Sequence, residues 1–257
     1  QRLAALRAAN VESFMIFITA FVARSEAEQR EQFILLNNTK PLPQGLIDEL
    51  LPSTETDLPL RLDRRRLPST LVDRLNRDAN SPFKGIIKMP TNRRGVVRAN
   101  SLVRMLDHSY SDGILHHFRN REMRAADLER MIDVLEAYWS AVAEVFEAAW
   151  NRSPRESRLM HGAGIVAMGM LMDSIWQRMK PVVPTRKMFH RELLKVREFC
   201  HWTHGSWDFG QLGMRPWNQI QNTPGDVQLL SSQICGHYRR QSGGAADETQ
   251  IAASSEA

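Results

Sequence analysis

AADLERMIDVLEAYWSAVAEVFEAAW, Ala125 to Trp150, reads as one long helix with its apolar residues gathered on a single face. That stretch sets the class of the fold, because an apolar face of such length must be covered by other helices. The sequence supplies them downstream. Helical patterns are predicted over Glu156–Met179, Thr185–His204 and Asp226–Arg240. From 241 to 257 the residues are small and polar, and composition predicts a disordered tail.

Upstream the pattern is mixed. Ser13 to Val22 (SFMIFITAFV) is rich in Phe, Ile and Val and reads as a buried strand. Ser25 and Glu28 form a capping-box pattern ahead of a helix that runs to about Leu36. Ala27, Phe33 and Leu36 would give that helix an inward stripe, and Pro41 and Pro43 stop it. A short helix is predicted from Gly45 to Leu51, and another from Pro68 to Asn76 with Leu71, Val72 and Leu75 on one side. Ser81–Pro90 holds a second short strand, Asn92–Arg98 is a basic loop, and Asn100 or Ser101 caps the next helix. The expected class is mainly α (α+β): residues 1–120 a mixed region, 121–240 a helical domain, then the tail.

The chain has 257 residues, 42% of them hydrophobic and 25% charged, which is ordinary for a globular protein. The net charge of +5 permits a polyanionic partner such as DNA without demanding one, since 29 acidic residues are mixed among 34 basic ones. Two cysteines make no disulfide framework, and no leader is visible, so a cytoplasmic setting is expected. No apolar run is long enough for a bilayer.

Several segments carry possible chemistry. Gln1 and Arg2 open a helical pattern with Leu3 and Leu6 on one face. Arg2 would stand beside free backbone N–H groups, an arrangement suited to phosphate, or simply an exposed helix start. Asn37, Asn38, Thr39 and Lys40 gather amides, a hydroxyl and an ammonium before Pro41. They could hold a nucleotide's phosphates or sugar, or merely end a helix. Arg61, Arg64, Arg65 and Arg66, with Arg93, Arg94 and Arg98, can neutralise DNA phosphates without reading sequence, or form a solvated face. Cys200, His201, His204, Cys235 and His237 match no established zinc spacing, and no metal site is expected. His161-Gly162-Ala163-Gly164 lacks a preceding strand and a third glycine, so it is no dinucleotide fingerprint; its glycines suit close helix approach. No Walker loop and no G-x-S-x-G elbow is present.

The opening Gln1-Arg2-Leu3-x-x-Leu6 resembles the end of the D-G-Q-H/Q-R-L-x-x-L motif of the DGQHR-domain family, a branch of the ParB-like nuclease superfamily. Phe33 to Leu42 is similar to that family's F-x-x-x-N-x-T-x-K-P segment, with one residue fewer before Lys40-Pro41. Ser81-Pro82-Phe83-x-Gly85-x-Ile87 and Ser111-Asp112-Gly113-Ile114-Leu115 also resemble family stretches. The resemblance implies the remnant of a ParB-like α/β core followed by a helical C-terminal region, with sequence missing before Gln1. It implies a component of a bacterial DNA-modification or defence cluster, working with other proteins of that cluster. In one branch the full-length form would bind and hydrolyse ATP in support of 7-deazaguanine insertion. In the other, linked to phosphorothioation, the protein would be a non-enzymatic DNA-binding regulator. The motif's Asp and Gly are absent here, so ATP hydrolysis is expected of a longer form and not of this chain.

Overall fold

The computed structural model describes residues 20, 22–36, 42–54, 58–118, 125–181 and 183–254. The elements are α1 (Glu26–Leu36), α2 (Gln44–Leu50), α3 (Leu60–Arg77), β1 (Ile87–Lys88), β2 (Val97–Arg98), α4 (Ala99–Asp112) and α5 (Ile114–His117). They continue with α6 (Ala125–Val145), α7 (Gly162–Met179), α8 (Arg186–Leu194), β3 (Ser206–Asp208), β4 (Met214–Pro216) and α9 (Pro224–Ser254). The fold is mainly α with a small β component. Among the described residues the strands make two pairs, β1–β2 parallel and β3–β4 antiparallel. The predicted Ser13–Val22 strand lies outside the described residues except for Ala20 and Val22. No described helix is long and apolar enough to cross a membrane.

α6 is the long helix expected from Ala125, and it buries Met131, Leu135, Tyr138, Trp139 and Val142. It ends at Val145, where the chain breaks into turns that swing Trp150 back over Phe83 (ring centroids 5.3 Å). Phe83 also meets Trp139 edge-on at 5.1 Å, and Tyr138 meets Phe189 of α8 the same way. Each such pair adds roughly 0.5–1.5 kcal/mol beyond area burial.

Several boundaries differ from the sequence reading. α3 begins at Leu60, so Pro68 sits inside it instead of opening it. The added turns are held by tertiary contacts, above all Arg65 on Asp48 of α2. In α1 Ser25 Oγ accepts from the Glu28 N–H as predicted, and Glu28 reaches back to the Arg24 N–H. Ile34 faces inward there, while Phe33 is exposed. Asn100 and Ser101 lie within α4, whose N-cap is Arg98. α7 starts at Gly162 instead of Glu156, capped by His161. α8 stops at Leu194; the residues to His204 turn back to drive Trp202 and Trp207 into the core, ring centroids 5.3 Å apart. Gly205, at φ +80°, makes the turn into the β3–β4 hairpin, which the sequence reading missed. α9 is helical through Ser254, past Arg240 and across positions read as a tail.

A single apolar cluster runs from Leu71 to Tyr238 and draws on both sides of residue 120. At its centre α4, α7 and α9 lie side by side and parallel. Ser101 faces Gly162, Met105 faces Gly169, and Ser109 bonds to Asp173, so α4 and α7 run in step. Asn222 lies against Gly162, and Tyr238 bonds to Arg178, so α9 follows the same direction. A side chain at Gly169 would overlap Met105, and one at Gly162 would overlap Ser101 and Asn222, so both glycines allow close approach to α7; Gly164 instead lies against the backbone of Arg158 and Leu159, just before its own helix.

A buried carboxylate ties three of these helices together. Glu192 of α8, 1% exposed, accepts from Arg178 of α7 (2.6 Å), Tyr238 of α9 (2.8 Å) and Lys195 (2.8 Å). Burial alone would raise its pKa. The bonds from Lys195, Tyr238 and Arg178 outweigh that and bring it down to about 2.

Candidate functional site

The parallel packing puts the N-termini of α4, α7 and α9 at one end of the molecule. Each contributes unpaired backbone N–H groups and the positive end of its dipole. Neither α4 nor α7 has an acidic residue in its first turn. α9 has Asp226, which is taken up by Arg215 (2.7 Å) and the Gln221 N–H (2.8 Å).

Basic residues crowd this end. Arg98, the N-cap of α4, is exposed. Arg158, four residues before Gly162, is half-buried; it donates to the carbonyls of Pro154 (2.8 Å) and Asn218. It has no carboxylate partner among the described residues, its Nε is buried without an acceptor, and burial lowers its pKa. His161 caps α7 through a long contact from the Ala163 N–H (3.5 Å) to Nδ1. Burial, then the charges of Arg158 and Arg98, press its pKa down to about 4, so it is neutral at physiological pH. An NMR titration of the His161 ring is expected to give a midpoint near 4. Arg158→Gln should raise that midpoint, because one of the two repelling charges is removed.

The sequence-predicted residues divide three ways. Gln1, Arg2, Asn37, Asn38, Thr39 and Lys40 lie outside the described residues. Arg65 and Arg66 are committed within the fold. Arg65 grips the buried Asp48 with two bonds of 2.9 Å and reaches Asn100 Oδ1 at 3.2 Å, joining α2, α3 and the start of α4. Arg66 pairs with Asp63 at 3.4 Å. Arg64, Arg93, Arg94 and Arg98 are exposed and form no ion pair among the described residues. The Arg65–Asn100 bond draws the first turns of α3 toward the start of α4, and β2 leads the Arg93–Arg94 loop directly into α4.

Sequence reasoning missed Arg158 and the capping role of His161. His161-Gly162 was readable as a helix start only once the preceding residues were known to be turns. Among the described residues no group of three or more His, Cys, Asp or Glu is placed to hold a metal ion. His237 stacks on Phe199 (4.0 Å, 11°), and Cys235 lies against Ser174.

Comparisons with protein-family models, with curated proteins and with solved structures returned no match.

Proposed function

We propose that the protein is a DNA-binding component of a bacterial DNA-modification or defence system, gripping the sugar-phosphate backbone without reading bases. The observation that carries this is the convergence of the α4 and α7 N-termini with Arg98 and Arg158, uncompensated by carboxylates. Guanidinium groups and free backbone N–H groups are the donors that phosphate oxygens accept from. Exposed Arg64, Arg93 and Arg94 extend the same charge beyond the helix ends. The motifs resembling the DGQHR-domain family support the cellular setting and a regulator or assembly role among other proteins of the cluster. The alternative, an ATP-binding and ATP-hydrolysing longer form, rests on Gln1, Arg2 and Asn37 to Lys40, which lie outside the described residues.

The test is fluorescence anisotropy with a short labelled duplex across a salt series. Wild-type affinity should fall steeply with salt. The combined reversal Arg93→Glu, Arg94→Glu and Arg98→Glu should lower affinity at least ~10-fold and reduce the slope of log affinity against log salt by about 3. Reversal at Arg197, which pairs with Glu198 elsewhere on the surface, should change neither. Unchanged binding by the triple variant would remove the proposed surface, and salt-independent binding would remove the mechanism.

A further inference from the structure

A polar cleft of about 330 Å³ opens between α4, α7 and α9, away from the helix starts. Asp173 of α7 lines it and is only 7% exposed. Its Oδ1 accepts from Ser109 Oγ (2.6 Å) and from the Ile114 N–H (2.9 Å). Oδ2 has no hydrogen-bond partner among the described residues. Gly113 leaves room for the carboxylate, since a Cβ there would overlap it. Beside Asp173 lie the Cys235 thiol, also 7% exposed, and Ser174. Ser231, Ser232, Gln177 and Gln228 line the walls, and exposed His108, Asp112 and Arg239 complete the lining. Met170 is the one large apolar side chain in it.

The chemistry of this lining is selective. Hydroxyl and carboxamide groups accept and donate, but the bonds from Ser109 and Ile114 offset the burial of Asp173 only in part. Burial raises that carboxyl to about 6; the bonds from Ser109 and Ile114 and the nearby His108 oppose the rise, and Asp112 adds to it. At neutral pH it is therefore mostly ionised, with one oxygen unused. A buried carboxylate in this condition is best satisfied by a cationic donor small enough to enter. The volume matches the lower range of small-molecule sites.

We propose that this cleft binds a small amine-bearing molecule, its ammonium donating to Asp173 Oδ2 and its remainder held by the serine hydroxyls and glutamine carboxamides of α7 and α9. The site is independent of the DNA-binding surface, and its test needs no DNA.

The probes are putrescine and spermidine, with butane-1,4-diol as an uncharged comparator, each up to ~10 mM, a range that detects millimolar affinity. The Asp173 carboxyl is followed by NMR, and alkylation of Cys235 by peptide-resolved mass spectrometry. The amines should lower the Asp173 midpoint by at least about one pH unit, a tenfold preference for the ionised form. They should also slow Cys235 alkylation severalfold, and the diol should do neither. Asp173→Asn keeps an acceptor for Ser109 and Ile114 and should abolish protection. Ser232→Leu, at an exposed wall position, should block entry without touching the core. No shift and no protection by either amine would overturn the proposal. So would equal protection by the diol, or protection that survives in a folded Asp173→Asn or Ser232→Leu protein.

Discussion

Gly164→Ala is expected to destabilise the protein by about 3 kcal/mol, the upper end of ordinary overpacking, and to lower its melting temperature by roughly 6–12 °C. Gly164 stands in the first turn of α7, directly over the segment that leads into that helix. A Cβ there would collide with the carbonyl oxygen of Arg158 and lie 2.7 Å from that of Leu159. Both obstacles are backbone, so no rotamer change relieves the overlap. Nor is the segment free to retreat. The Arg158 N–H donates to the Trp202 carbonyl at 2.8 Å, and its guanidinium is fastened to the carbonyls of Pro154 and Asn218. Gly225, in the first turn of α9, provides the comparison. Nothing lies within 4 Å of a Cβ built there. Gly225→Ala should be neutral or stabilising by up to about 1 kcal/mol, through reduced freedom of the unfolded chain. Thermal unfolding of the two variants checks the pair; a Gly164→Ala protein as stable as wild type would show that the Arg158–His161 segment can shift.

Glu192→Gln is expected to cost about 3 kcal/mol at pH 7, the equivalent of holding its pKa near 2 against an ordinary 4.5. The sign follows from the direction of the shift. The folded-state value lies below the unfolded one, so the stabilisation is complete above about pH 4.5 and is lost as pH falls toward about 2. Wild type and variant should therefore differ most at neutral pH and converge in acid. Tyr238→Phe removes one donor to Glu192 and one acceptor from Arg178, and should cost less, roughly 1 kcal/mol. Denaturant titrations at several pH values measure both. A constant gap between wild type and Glu192→Gln from neutral to strongly acidic pH would show that charge at this position contributes nothing.

The sequence made the helical class readable because long amphipathic runs such as Ala125–Val145 carry their own signal. The ends were less readable, since they depend on contacts far along the chain. Arg65 on Asp48 extends α3 upstream of Pro68, and the burial of Trp202 and Trp207 cuts α8 short and installs a hairpin of three-residue strands. Strands that brief have no periodicity to read. The exposed arginines of the candidate site were visible as a charge pattern, but their sorting was not. Nothing local distinguishes Arg64, which is open, from Arg65, which clamps a buried aspartate. Arg158 gave no signal at all, because it reaches the site only through the parallel alignment of helices distant in sequence.

That alignment has a kinetic consequence. Neighbours that run in the same direction cannot be joined by a tight turn, so the chain must travel back before it can add the next one. The Ser109–Asp173 bond spans 64 residues and the Arg178–Tyr238 bond spans 60. Large loops must close before these central contacts form, and each closure is an entropic cost met before any reward. The protein should therefore fold more slowly than an up-and-down bundle of equal helix content, with the side of α4 that packs on α7 left uncovered until residues 162–179 are in place.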